Sequence, residues 1–329
     1  MPEKKSSGKK NFDAQLASIE ALRDHPDEAC VAPLRAALKH QNNYVVSKAA
    51  DMAAQRRLEP LLSDLVAAFD RFFEDPAKRD PQCWAKNSIS RALAALELQD
   101  PKPFLRGLKH IQLEPTWGGS SDSAGPLRGT CALALVQCRS VPETGLLRHL
   151  IDVLVDSDKT ARNDAVRALE QLGSPAAALL LRLRAQLGDD EPEITGACYA
   201  AVLSIEGVAA LPWAARFLAG ENDASGEAAL AIAATHSPEA FELLKSRLDH
   251  ARDPWFKSVL LSAIALTRQS DATEFLLAMI RSDSLGADLA VEALVRSAPS
   301  DEVMQQLKAL VSGNTRLEHA FAGNTTARR

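Results

Sequence analysis

Residues 156–173 read DSDKTARNDAVRALEQLG. Their apolar positions Ala161, Ala165, Ala168, Leu169 and Leu172 stand four, three, one and three apart, which is one side of an α-helix. Gly173 follows, where a helix end favours a residue able to turn left-handed. A second helical stretch, PAAALLLRLRAQL at 175–187, comes directly after it, and GDDEPE closes that one. The unit is helix, glycine stop, helix, polar turn.

The unit recurs along the chain. Helix openings like the one at Thr160 stand at Tyr44 (YVVSKAADMAA), Trp84 (WAKNSISRALAAL), Pro126 (PLRGTCALALV) and Glu193 (EITGACYAAVL). Others follow at Ser225, Trp255 and Gly286. The third residue of each is a register mark: Val46, Lys86, Arg128, Arg162, Thr195, Glu227, Lys257 and Asp288. The intervals are 40, 42, 34, 33, 32, 30 and 31 residues, so repeats before about residue 140 are longer and carry insertions. Partner helices lie between, as in SPEAFELLKSRL after His236, with Ser237 as a natural N-cap. One helix pair cannot bury its apolar face alone, and stacking the pairs makes a continuous core. Composition agrees: 46% of residues are apolar but only 5% aromatic, a balance of Ala and Leu that suits close-packed helices. The expected fold is all-α, an α-α superhelix of about eight helix pairs in one domain over residues 11–312. A basic tail at 1–10 and a second tail at 313–329 are expected to be flexible.

The stretch LVDSDKTARNDAVRALEQLG, 154–173, resembles the bacterial HEAT-like repeat, the type first associated with phycobilisome lyases. That repeat has an Asp in the turn and an Arg six residues on, then Ala and Leu at helical spacing. Asp156 and Arg162 match it. LKHQNNYVVSKAADMAA, at 38–54, resembles it through Val45 and Val46 but lacks the Asp and the Arg. The resemblance implies an armadillo-type α-solenoid. It implies a class of role rather than a reaction, because such repeats serve scaffolds, adaptors and a few enzymes.

The step from Asp156 to Arg162 is six residues, and Asp80–Lys86 and Asp122–Arg128 repeat it. An acid in the turn can cap the next helix and pair with the base of its own or the adjacent repeat, a ladder that keeps repeats in register. The alternative is a basic stripe of Lys86, Arg128 and Arg162 open to an acidic ligand. On the Trp84 helix, Trp84, Asn87, Ser88 and Arg91 share a side, while Ile89, Leu93 and Leu96 point to the core. That side is a recognition patch or a packing surface. Between Leu113 and Arg128 stands LEPTWGGSSDSAGPLR. Its Asp122 and Arg128 are in register with the other repeats, so Trp117, Gly118, Gly119 and the serines are additions to an inter-helix turn. Loops enlarged on a rigid frame carry binding function, which makes Trp117 a candidate.

Other chemistry is thinly marked. No metalloprotease, phosphate-loop or nucleophile-elbow motif occurs. The chain has no His-Glu dipeptide, the metal-ligand motif of the HEAT-repeat hydroxylases of deoxyhypusine. Five cysteines, with no C-x-x-C, read as buried free thiols of a reducing cytoplasm. No stretch approaches a membrane span by eye, and the N-terminus has no apolar segment of a secretory signal. Residues 1–110 hold 18 basic and 15 acidic side chains (+3), and 111–329 hold 20 and 28 (−8). The basic half, with Trp84, Trp117 and Asp122, is reminiscent of HEAT-like alkylpurine DNA glycosylases, so nucleic-acid or damaged-base binding is one alternative; a lyase-associated enzyme is another. The leading expectation is a cytoplasmic, non-catalytic scaffold or adaptor without cofactor. It would bind another protein, one with an acidic surface, on its concave face. The expected binding residues are Trp84, Lys86, Asn87, Arg91, Trp117, Asp122, Arg128 and Arg162.

Overall fold

The computed structural model describes residues 3–325, with side chains from 12 to 323. The chain is helical almost throughout, and the described strands form one two-stranded hairpin. Its helices gather into two compact units, Met1–Leu172 and Gly173–Arg329.

The first unit contains α1 (Glu3–Ala21), α2 (Asp27–Leu38), α3 (Asn43–Gln55), α4 (Leu62–Arg71) and the single turn α5 (Pro76–Arg79). After them come α6 (Trp84–Ala95), α7 (Lys102–Leu108), the strands β1 (Leu113–Thr116) and β2 (Gly119–Asp122), then α8 (Gly125–Val136), α9 (Glu143–Leu154) and α10 (Lys159–Leu172). The helices that hold the register marks pack on one another in order: α3 on α6, α6 on α8, α8 on α10. Each also packs against a preceding partner, α2, α4, α7 and α9 in turn.

The second unit repeats this with α11 (Pro175–Leu187), α12 (Pro192–Glu206), α13 (Leu211–Ala215), α14 (Asp223–Ala233) and α15 (Pro238–Leu248). It ends with α16 (Pro254–Leu266), α17 (Ser270–Arg281), α18 (Ala287–Arg296), α19 (Asp301–Val311) and α20 (Thr315–Thr325). Here α12, α14, α16 and α18 stack, with α11, α15 and α17 as partners of α12, α16 and α18. The stretch Pro192–Gly220 is long and apolar enough to cross a bilayer by length and composition, where no such stretch was expected. More than half of its most apolar window is buried in this unit, as in a core helix.

Local chemistry explains the helix ends. Asp158 accepts from the Ala161 amide at 2.9 Å, and α10 buries Ala161, Ala165, Ala168 and Leu169 as its periodicity requires, with Val166 added. Most register helices stop on a left-handed residue: Arg57, Glu97, Gly173, Gly207, His236, Arg268 and Ala298. Side-chain oxygens of Ser174, Ser237, Asp253 and Ser300 cap α11, α15, α16 and α19. Glycines let neighbouring register helices close up. A Cβ at Gly129 on α8 would stand 2.6 Å from the Asp164 carboxylate on α10.

Both stretches expected as flexible tails contain helix among the described residues. α1 begins at Glu3, and α20 buries Leu317 while Arg316 reaches Asp283 and Asp288. Weak periodicity at 313–325 hid one apolar anchor. Met1, Pro2 and residues 326–329 lie outside the described residues.

The turn acid persists beyond the three repeats in which it stands six residues before a base. Asp189 and Glu221 stand six residues before Thr195 and Glu227, where no base follows. Each takes its cation from a partner helix instead: Asp189 from Arg184 of α11, which pairs with the helix that follows Asp189, and Glu221 from Arg247 of α15, which belongs to the next repeat. Glu221 also accepts the Asp253 amide at 2.8 Å and so ties the turn before α14 to the turn before α16.

Candidate interaction site

The hairpin sits between α7 and α8. Its register pairs Leu113 with Asp122, Glu114 with Ser121, Pro115 with Ser120 and Thr116 with Gly119. The connection is Trp117–Gly118, and Gly118 adopts φ +87°. A type II turn needs positive φ at this third position, which a side chain would strain. The segment expected as an enlarged turn is therefore regular β-structure, and Trp117 is its tip.

Its burial is inverted. Gln112 and Glu114 are buried, whereas Ile111, Leu113 and Trp117 are 66%, 62% and 105% exposed. The polar side is fixed by a dense network. Glu114 Oε1 accepts from the Gln82 amide (2.7 Å), Gln112 Nε2 (2.6 Å) and Ser123 Oγ (2.6 Å), and Gln82 Nε2 donates to Oε2 at 2.9 Å. Burial pushes the Glu114 carboxyl up, but these bonds outweigh it and hold it below the usual carboxylate range. Gln112 Nε2 also donates to the Asp80 carbonyl, and Gln112 Oε1 accepts from Lys86 Nζ at 2.9 Å. Asp80 and Lys86 are wholly buried and paired at 3.0 Å. Asp80 caps α6 through the Ala85 and Lys86 amides and takes Asn43 Nδ2 from α3. The Gln82 and Cys83 backbone turns left-handed to pass through this knot. The nearby Cys83 thiol is pushed up to about 11 by burial, which keeps it protonated and unreactive.

The outer side of the hairpin borders a groove of about 500 Å³, lined by Ile111, Leu113, Asp122, Arg128, Asp152 and Asp156 among others. Arg128 bridges two repeats. It donates to Asp122 at 2.7 Å and bidentately to Asp156 at 2.6 and 2.7 Å. Burial alone lowers the Arg128 pKa; its bonds to Asp156 and Asp122 reverse the sign and raise it. The Asp122 carboxyl, pushed up by burial, is held low by the Gln112 and Ala124 amides and by Arg128. Arg162 Nη1 donates to the carbonyls of Asp156 and Ser157.

The structure separates the expected site residues into three sets. Asp122 and Arg128 pair at the base of the hairpin, and Trp117 stands at its tip. Trp84, Asn87 and Arg91 lie on α6, from which two of them reach α3: Trp84 is half-exposed and lies edge-on to Tyr44 at 5.3 Å, and Arg91 reaches Asp51 at 3.5 Å. Trp255, at the equivalent repeat position, lies against Gly226 of α14, so both tryptophans cover the preceding register helix. The buried Asn87 Oδ1 has no hydrogen-bond partner. Lys86 and Arg162 make up the third set: Arg162 is turned to the Asp156 and Ser157 carbonyls, and Lys86 is no binding residue, since neither its charge nor its surface is available. The basic stripe goes with it, because Arg128 is buried and matched by two carboxylates, and so does the ground for expecting an acidic partner.

Residues missed at the sequence level are Ile111, Gln112, Leu113, Glu114, Ser123 and Asp152. The alternation Ile111, Leu113 against Gln112, Glu114 was a strand signal, over too short a span to stand out among helices. Comparison with protein-family models finds no match, and comparison with curated proteins finds none either.

Proposed function

We propose that this chain is a non-catalytic protein-interaction scaffold, an α-α superhelix of the HEAT-like kind, which engages a partner protein through its Trp117 hairpin and the adjoining groove. The observation that carries this reading is the inverted hairpin. Water-soluble folds bury apolar side chains and expose polar ones, and the reverse at Ile111, Leu113 and Trp117 is held in place by an extensive buried network. An exposed Trp on a rigid support is the side chain most often found at the energetic centre of interfaces. The groove also has three carboxylates, on Asp122, Asp152 and Asp156, against two cations, Arg128 and Lys109, which leaves it net negative. That balance favours a partner with basic and apolar groups, and it disfavours a phosphate backbone.

The test is affinity capture from the native cell with the wild-type chain and with Trp117→Ala. Trp117 touches little of the fold, so the variant keeps the wild-type melting temperature. Loss of one specific protein from its captured set supports the reading. An unchanged set, or recovery of nucleic acid alone, overturns it.

A further inference from the structure

The second unit contains a cation that the ladder leaves unmatched. Lys257 of α16 occupies the register position held by Lys86 and Arg128 in the first unit, where Asp80 and Asp122 neutralise the charge. Six residues before Lys257 stands Ala251, buried and without a carboxylate. Among the described residues the Lys257 ammonium has neither an ion-pair nor a hydrogen-bond partner, its backbone amide alone bonding the Asp253 carbonyl. It lies partly buried in the wall of a cavity of about 530 Å³, beside Leu248, Leu261, Phe275, Met279 and Leu285. That volume is in the range of small-molecule sites, which combine apolar walls with a few fixed polar groups. Leu285 at the cavity is 92% exposed, so the chain itself does not cover it.

The other charges narrow the occupant. Arg316 also lines the cavity but is engaged by Asp288, at 3.0 Å, and by Asp283. Asp249 and Asp288 line the cavity as well, which penalises a second negative charge. We infer that this cavity binds a small monoanionic amphiphile, with a carboxylate on Lys257 and a hydrocarbon body against Leu261, Phe275, Met279 and Leu285. The inference is independent of the hairpin and of any protein partner.

Titration calorimetry on the full chain at pH 7.5 tests it, with decanoate, decyl phosphate, decanol and decyltrimethylammonium as probes. Decanoate is expected to bind most tightly of the four. Lys257→Gln should weaken decanoate about tenfold or more, the loss of one charge-assisted bond, and leave decanol unchanged. Leu285→Ser, at an exposed position that leaves folding intact, should weaken both decanoate and decanol. The inference is overturned if decyltrimethylammonium or decyl phosphate binds as tightly as decanoate, if Lys257→Gln has no effect, or if no probe binds.

Discussion

At the scale of single residues, where a repeat has a turn carboxylate the source of its cation is replaceable. Asp80 and Asp122 take a base six residues on, whereas Asp189 and Glu221 take an arginine from a partner helix. The acid also caps backbone, a task the base does not share. Removing the base therefore strands a buried carboxyl group. Lys86→Met is expected to destabilise the fold by about 3–5 kcal/mol, because the buried Asp80 loses the cation it is paired with. Adding Asp80→Asn to that variant should recover part of the loss, which denaturant titration of the single and double variants will measure. A smaller change has the opposite sign. Ala298 is exposed and ends α18 at φ +55°, where a side chain costs about 1–2 kcal/mol and glycine does not. Ala298→Gly should raise stability by about 1 kcal/mol after the added chain entropy of glycine; an unchanged or lower urea midpoint would refute the strain.

At the scale of elements, the hairpin is held by hydrogen bonds and not by apolar packing. Glu114→Ala would leave the Gln82 amide, Gln112 Nε2 and Ser123 Oγ without their acceptor. A cost of about 2–4 kcal/mol is expected from donors left unpaired in a buried site. Hydrogen exchange should show it as lost protection across 110–125, with α14 and α16 unaffected; equal losses along the chain would contradict it. The same property explains why helices were legible in the sequence and the hairpin was not. Register helices announce themselves because Ala and Leu recur on their buried side, as at Ala161, Ala165, Ala168 and Leu169. In the hairpin the buried residues are Gln112 and Glu114 and the exposed ones are Ile111 and Leu113. A pattern rule that places apolar residues inside would assign its faces backwards. Trp117 stood out by composition, but the meaning of Lys86 and Arg128 depended on partners 26 and 28 residues away, Gln112 and Asp156. The remaining ladder was hidden for a simpler reason: a step of six from acid to base misses Glu221, whose base, Arg247, lies 26 residues later.

At the scale of the whole molecule, these carboxylates set how the chain responds to acid. In the first unit hydrogen bonds hold Glu114 and Asp122 below their ordinary values. In the second, the hydrogen bond from Arg247, then the Asp253 and Arg252 amides, bring Glu221 down to about 2. A depressed carboxyl contributes stability above its unfolded value, 4.5 for Glu221, and that contribution is lost as pH falls through the folded one. Asp164 and Glu227 act in the other direction. Burial raises both, so their contribution is largest in acid and is lost as pH rises through their folded values. The three depressed groups tie repeats together, whereas Asp164 fits against Gly129 and Glu227 against Gly196 on adjacent register helices. The depressed set therefore governs acid unfolding of both units. The urea midpoint should fall as pH is lowered from about 4.5 toward 2. Glu221→Gln should be less stable than the wild type at pH 7, and the gap should close toward pH 2, where the native carboxylate is itself protonating. A gap that stays constant from pH 7 to 2 would mean that Glu221 acts through its shape and neutral hydrogen bonds, and not through its charge.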